Sequence, residues 1–375
     1  MQGTFRMKRI ESLDYFRGLM ALSVMFYHYT SWYSGGVEVD NLLGKLGVYA
    51  VAAFYILSGL SLALVYKNKI TTKGAVFGFL IKRIFRIFPL FWLAILAGIG
   101  IKIAIYVIKG TPIDVTAYQL FLNITLLFGF VSPSSYITTG AWSIGNEVVF
   151  YSILPIVFLL SYKTDKPLII TFVISLVLGS LFAFLLLSNE ITLAEQWTLY
   201  VNPLNQVFLF MSGVLLGWYA EHIKKIVPKN LSLFVLLLSI MVFVFYPVAG
   251  NQSSIVTGKE RFIFSFLMLV IVSMIFICDF KLDGLMNNIL LFLGQGCYSI
   301  YLLHPIFASP VVFLFDVLGF QLLYAYIMAG FLTLIASYYT FRFIENPMMN
   351  QGKTLCDKFI KNRKTNITST NEAKN

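Results

Sequence analysis

An all-α fold, a polytopic helical bundle embedded in a membrane, is what this chain predicts, and three observations predict it. Of its 375 residues 58% are hydrophobic and only 12% charged, where a soluble domain carries about 25% charged residues. Mean hydropathy is +0.81. Apolar runs long enough to cross a bilayer, which takes ~20 residues, recur along nearly the whole chain. The net charge of +11 comes from Lys and Arg in short loops and a tail, the placement that orients a membrane protein. It therefore argues for a lipid bilayer as partner and against nucleic acid.

The first run, 13–33, reads LDYFRGLMALSVMFYHYTSWY. It is long enough to span, yet it holds Asp14, Arg17 and His28, and a charge at membrane depth costs roughly 2.5–3.5 kcal/mol. A helix advances ~100° per residue, so His28 returns to within ~20° of Arg17 and lies about 16 Å further along the axis. Asp14 shares that face. Asp14 and Arg17 read equally as an interfacial ion pair or as functional groups. His28 reads as functional, because an intramembrane ionisable residue marks a site by default.

Further runs follow at 44–66, 88–108, 142–162, 168–188, 203–220, 231–249, 261–278, 289–315 and 322–343, making about ten. A shorter run, 118–131, ends in the turn-forming SPSS. Basic loops settle how it is read. With the N-terminus in the cytoplasm, the loop 67–87 is inside and carries Lys67, Lys69, Lys73, Lys82, Arg83 and Arg86. If 118–131 does not span, Lys163, Lys166, Lys224, Lys225 and Lys229 also fall inside, and Glu190 and Glu195 outside. The expectation is thus ten spans, both termini cytoplasmic, and 118–131 an outer-face or re-entrant segment. Lys259 and Arg261, on the outer side, weigh against it. Residues 1–350 form one membrane domain and 351–375 a basic tail expected to be disordered. The N-terminal segment lacks a cleavage pattern and reads as retained. The multi-pass chain is expected in the cell (inner or plasma) membrane.

Several groups interrupt the apolar runs. Ser58 and Gly59 form a small pair that reads as close helix packing rather than as a catalytic serine, since no acid–His motif accompanies them. Arg83 and Arg86 in KRIFRIFP are three apart and share a helix face. They suit phosphate oxygens as well as they suit anchoring. Glu147 lies five residues into the fourth run with Tyr151 one turn on. In this topology Glu147 and His28 share a depth, so the carboxylate is expected to orient the imidazole as a general base requires. His304, before Pro305, is either a second polar group of a site or a residue satisfied by a freed carbonyl. Arg342 and Glu345 are spaced to pair, and His222 reads as surface. Cys278, Cys297 and Cys356 are scattered and suggest neither metal nor disulfides. Asn123 and Asn366 head Asn-Ile-Thr triplets, a pattern short enough to arise by chance.

Taken in order, LDYFRG with His28, FYILSGL (54–60), KRIFRIFP (82–89), WSIGNEVVFY (142–151), YSIYLLH (298–304) and IENP (344–347) resemble the acyltransferase 3 family of membrane acyltransferases. The resemblance runs from 13 to 347. Tyr15 and Lys82 depart from it, and the extra extracytoplasmic domain of some members is not expected, which would leave transfer to the membrane domain. The resemblance implies transfer of an acyl group, usually acetyl from acetyl-CoA, to a hydroxyl of a surface glycan or lipid-linked sugar. It implies His28 and Arg17 as a central pair and Arg83 and Arg86 near CoA. Glu147 joins them as a catalytic candidate from its own position, and Asp14, Tyr151 and His304 as candidates for holding substrate. Acyl-CoA would be a donor substrate, with no permanently bound cofactor and no metal. The competing class is a transporter or flippase of a lipid-linked sugar, and such proteins often carry internal repeats, of which none is visible.

Overall fold

The computed structural model describes residues 9–358. Among them there is no strand: the chain is a bundle of helices joined by short loops. The helices are α1 (Glu11–Ser34), α2 (Leu42–Tyr66), α3 (Lys73–Lys109), α4 (Ala117–Ile124), α5 (Phe128–Val131), α6 (Ala141–Leu160) and α7 (Lys166–Leu181). After these come α8 (Trp197–Tyr200), α9 (Pro203–Trp218), α10 (Ala220–Ile226), α11 (Lys229–Phe245), α12 (Gly258–Cys278), α13 (Gly284–Gln295), α14 (Cys297–Val317) and α15 (Leu322–Thr340).

Among the described residues eight helices are long and apolar enough to cross a membrane, or nine if the sharply bent pair α10 and α11 is one span. That is fewer than ten. At 24 residues α1 is about 36 Å long, and its Tyr, Ser, His and charged positions keep it from passing as an apolar span. The run 118–131 does not form a spanning helix. It breaks into α4 and α5, of 8 and 4 residues, where Leu126 takes a positive φ of 57°, and the indole of Trp92 donates to the Ile124 carbonyl at 2.8 Å.

Three boundaries differ from expectation. The basic stretch before 88 is not a loop. Thr72 caps a single 37-residue helix, about 55 Å long, and Arg83 and Arg86 lie inside it, ahead of Pro89. The run 289–315 is broken at Gly296 between α13 and α14. The last helix continues to Lys358, so residues 351–358 of the expected tail are helical and Cys356 is buried beside Gly78. The remainder of that tail, Asn366 included, lies outside the described residues.

The most enclosed helix is α2. It packs on α9 through Gly59 and Gly213, where an added Cβ would fall 2.1 Å from the Phe210 carbonyl oxygen and 2.0 Å from that of Ile56. Small residues let membrane helices approach this closely. The same device seats α1 on α13, since a Cβ on Gly294 would fall 2.2 Å from the Asp14 carbonyl oxygen. Asn123 is fully buried and clamps its own loop, donating to the carbonyls of Gln119 and Ser135 and accepting from the Ile137 amide. That accounts for Asn123 without glycosylation.

Candidate functional site

The fixed phase of α1 brings Asp14 and Arg17, three residues apart, into an ion pair of 2.8 Å. Asp14 is buried and also receives Arg9. Arg17 reaches across to α2, where it donates to the Ser61 hydroxyl and to the Leu57 carbonyl at 3.4 Å. The pair is therefore more than an anchor at a helix start: its guanidinium is held in place and lines an internal cavity.

That cavity, of about 190 Å³, lies among α1, α2, α3, α6 and α14. Its charged lining is Arg17, Arg83, Arg86 and Glu147, and its hydroxyls include Ser58, Ser61, Ser143, Tyr298 and Tyr301. Arg83 sits among the rings of Tyr66, Phe79 and Tyr151 at 5.7–5.9 Å, an arrangement in which ring faces attract a cation. Its Nε is buried without a hydrogen-bond partner. Arg86 is exposed, and it lines the cavity. Glu147 lies within electrostatic reach of Arg86. No ion pair within 4.0 Å joins Glu147 to either arginine among the described residues. Tyr151, one helical turn from Glu147, bonds the Ser58 hydroxyl at 2.6 Å. Gly59 thus serves packing, while Ser58 beside it faces the cavity.

His28 is elsewhere. Its Nδ1 lies 2.8 Å from Nε2 of His304, and its ring stacks on Trp32, centroids 5.2 Å apart and planes 9° apart. Neither histidine lines the cavity. The expected Glu147–His28 bond is not made. Instead, His304 on α14 meets His28 on α1, and Glu147 on α6 lies near Arg86 on α3. Tyr301 touches both regions. It lines the cavity, bonds Ser143 at 2.8 Å and the Gly140 carbonyl at 2.9 Å, and lies 6.2 Å from the His304 ring.

The structure brings together more than the residues singled out in advance. Cys297, Tyr298 and Tyr301 enter the lining from α14, and Tyr298 and Tyr301 precede His304 at helical spacing, a signal already present in YSIYLLH. Arg342 and Glu345 do not pair. Arg342 donates to the Tyr338 hydroxyl, whereas Glu345 is buried and accepts from Ser299. A π-helical turn, Phe341–Glu345, rotates the acid inward, which plain i, i+3 spacing could not reveal. His222 is exposed. No three His, Cys, Asp or Glu side chains converge in a way that could hold a metal among the described residues.

Fold and site together define a multi-pass membrane protein with a cationic cavity inside its helical bundle. Residues 10–342 match the acyltransferase 3 family, described as an acyltransferase domain, and the chain belongs to that family. Relatives named O-acetyltransferase OatA, from Staphylococcus aureus strains NCTC 8325 and MRSA252, are each 24% identical to it over 92% of this chain. The chain spans 58% of the length of these relatives. No solved structure matches.

Proposed function

We propose that this protein is a membrane O-acyltransferase, moving an acyl group, acetyl by preference, from acyl-CoA to a hydroxyl of a surface glycan or lipid-linked sugar. The observation that carries this reading is the cavity's three guanidinium groups, Arg17, Arg83 and Arg86, against one carboxylate, Glu147. Such a lining favours a polyanion, and arginine forks match phosphate oxygens. The family and the name O-acetyltransferase borne by its relatives supply the reaction type. In this reading the phosphates of CoA rest at Arg83 and Arg86, the thioester points along the cavity past Arg17 toward Tyr301, and the acceptor meets His28 from the opposite side.

Orientation follows from the loops. With Lys67, Lys69, Lys163 and Lys166 cytoplasmic, Arg83 opens toward the side where acyl-CoA is made, and His28 toward the outside. Arg261, which weighed against this orientation, is buried and bound to backbone carbonyls. It is no loop charge.

The test is acetyl-CoA binding by calorimetry to purified wild type and to the Arg83→Gln, Arg86→Gln double variant. Losing two charge-assisted bonds of about 1.5–3 kcal/mol each should weaken binding about 10²–10⁴-fold. Unchanged affinity would reduce the arginines to anchors and sink the donor assignment. A transporter or flippase, the competing class, would not turn over acetyl-CoA.

A further inference from the structure

The His28–His304 pair admits one arrangement of its protons, and that arrangement gives His304 a role. His304 is fully buried, and no carboxylate bonds its ring among the described residues. A buried imidazole without a counter-charge is neutral and carries a single N–H. Its Nδ1 lies 3.2 Å from the Ile300 carbonyl oxygen. A carbonyl can only accept, so Nδ1 carries the proton and Nε2 is left as a lone pair. That Nε2 is 2.8 Å from Nδ1 of His28. One of the two must donate, and only His28 can.

The rings support a real bond. Their centroids are 5.0 Å apart and their planes 18° apart. Adding the two ring radii to the N···N distance reproduces that centroid separation, so the bond lies along the line of centres and nearly in both ring planes. Trp32 stacks on His28, and the Tyr29 hydroxyl donates to the His304 carbonyl at 2.9 Å. Both contacts hold the pair in register. Nε2 of His28 has no partner among the described residues, yet it is not among the sealed atoms without one. It is a lone pair open to an incoming group.

We propose that His304 is a positioning residue that holds His28 as its Nδ1–H tautomer, so that Nε2 of His28 takes the proton of the acceptor hydroxyl. This rests on the acyl-transfer reading for the chemistry, while the tautomer stands on geometry alone. As the hydroxyl proton moves to Nε2, the oxygen bonds to the thioester carbonyl carbon. The carbon–sulfur bond then breaks, and the CoA thiolate takes the proton back from Nε2. While His28 is protonated, its bond to His304 is charge-assisted and roughly twice as strong. Glu147, which faces the cavity, is not needed for this orientation.

The experiment is nitrogen NMR on protein labelled with ¹⁵N-histidine in nanodiscs. The chain has three histidines, and His222→Gln removes the exposed one. Both remaining rings should be protonated at Nδ1 and bare at Nε2. A proton on Nε2 of His28 in this otherwise native protein overturns the proposal without recourse to any further variant. His304→Leu should shift His28 to the Nε2–H form and lower transfer at least about 100-fold, read as alkali-released acetate from the envelopes of cells making each variant. His304→Gln puts an amide oxygen where Nε2 was. It should keep His28 protonated at Nδ1 and hold transfer within about tenfold of wild type. A Gln variant no better than the Leu variant on both readouts overturns it. Failure of the wild type to bind acetyl-CoA by calorimetry would refute the donor reading instead, and the NMR result would still decide the tautomer.

Discussion

Two sets of cations divide the molecule. Lys45 and Arg261 are almost wholly enclosed, at 0% and 3% exposure, and their donors are met by the backbone. Lys45 donates to the carbonyls of Val244 and Tyr246, both at 2.8 Å, where α11 ends. Arg261 donates to those of Val256 and Asn205 at 3.2 and 2.6 Å. Arg83 and Arg86 have no such partners. Among the described residues neither makes an ion pair or a hydrogen bond; Arg83 meets ring faces, and both line the cavity. The first set ties helices together, and Lys45, near a helix C-terminus, satisfies orphan carbonyls and the dipole at once. The second set is left for something that is not protein. In a membrane bundle, how a charge is satisfied says more about its purpose than how deeply it is buried.

The largest effect expected from this contrast is at Arg86. Arg86→Leu should abolish acetyl-CoA turnover, by at least about 100-fold. It should leave thermal stability in detergent unchanged, because no ion pair or hydrogen bond within the protein is lost. A large loss of stability would place Arg86 with the structural set and erase the distinction. Lys45→Met and Arg261→Met should behave in the opposite way. Each strands two buried carbonyls, at about 1–3 kcal/mol apiece, so melting should fall sharply while the folded fraction binds acetyl-CoA with native affinity. Impaired binding in a fully stable Lys45→Met protein would contradict its assignment as a tie.

A smaller effect is expected at Glu147. It is the single carboxylate in a lining of three guanidinium groups, so Glu147→Gln should tighten acetyl-CoA binding a few-fold by removing repulsion of the phosphates. Calorimetry reads this directly, and weaker binding would mean that Glu147 instead fixes the arginines in place. The smallest effect is topological, read as labelling rather than activity. With Cys278, Cys297 and Cys356 replaced, a single cysteine beside Lys163 should resist an impermeant thiol reagent added outside intact cells. Ready labelling would put α6 the other way up, and Arg83 would then no longer open toward cytoplasmic acyl-CoA.

Much of the site was legible along single helices. Arg17 and Asp14 share a face because three steps on a helix bring them round, and the structure pairs them. Arg83 and Arg86 do line one space, as their spacing requires; Glu147 lines it too, and Tyr151, one turn on, bonds Ser58 at its wall. What failed was pairing between helices. His28 was matched to Glu147 on shared depth alone, but depth leaves azimuth free. One residue of phase turns a side chain by ~100°. Glu345 was misjudged for a related reason, since a π-helical turn changes the phase after Thr340.

The sequence by itself determined the class of fold, the family and the chemistry available. Apolar runs and the charges inside them are local facts, and the bilayer admits only helices for such runs. The family resemblance, confirmed over residues 10–342, rests on motifs that are themselves local. Only the tertiary structure decided which charges meet. It set His28 against His304, 276 residues away, gathered Arg17, Arg86 and Glu147 around one cavity, and broke the run at Gly296 so that Cys297 and Tyr301 could enter it. Those outcomes depend on how helices rotate and approach one another. Close contacts such as Gly59 on Phe210 and Gly294 on Asp14 set that approach, and no single helix carries that information.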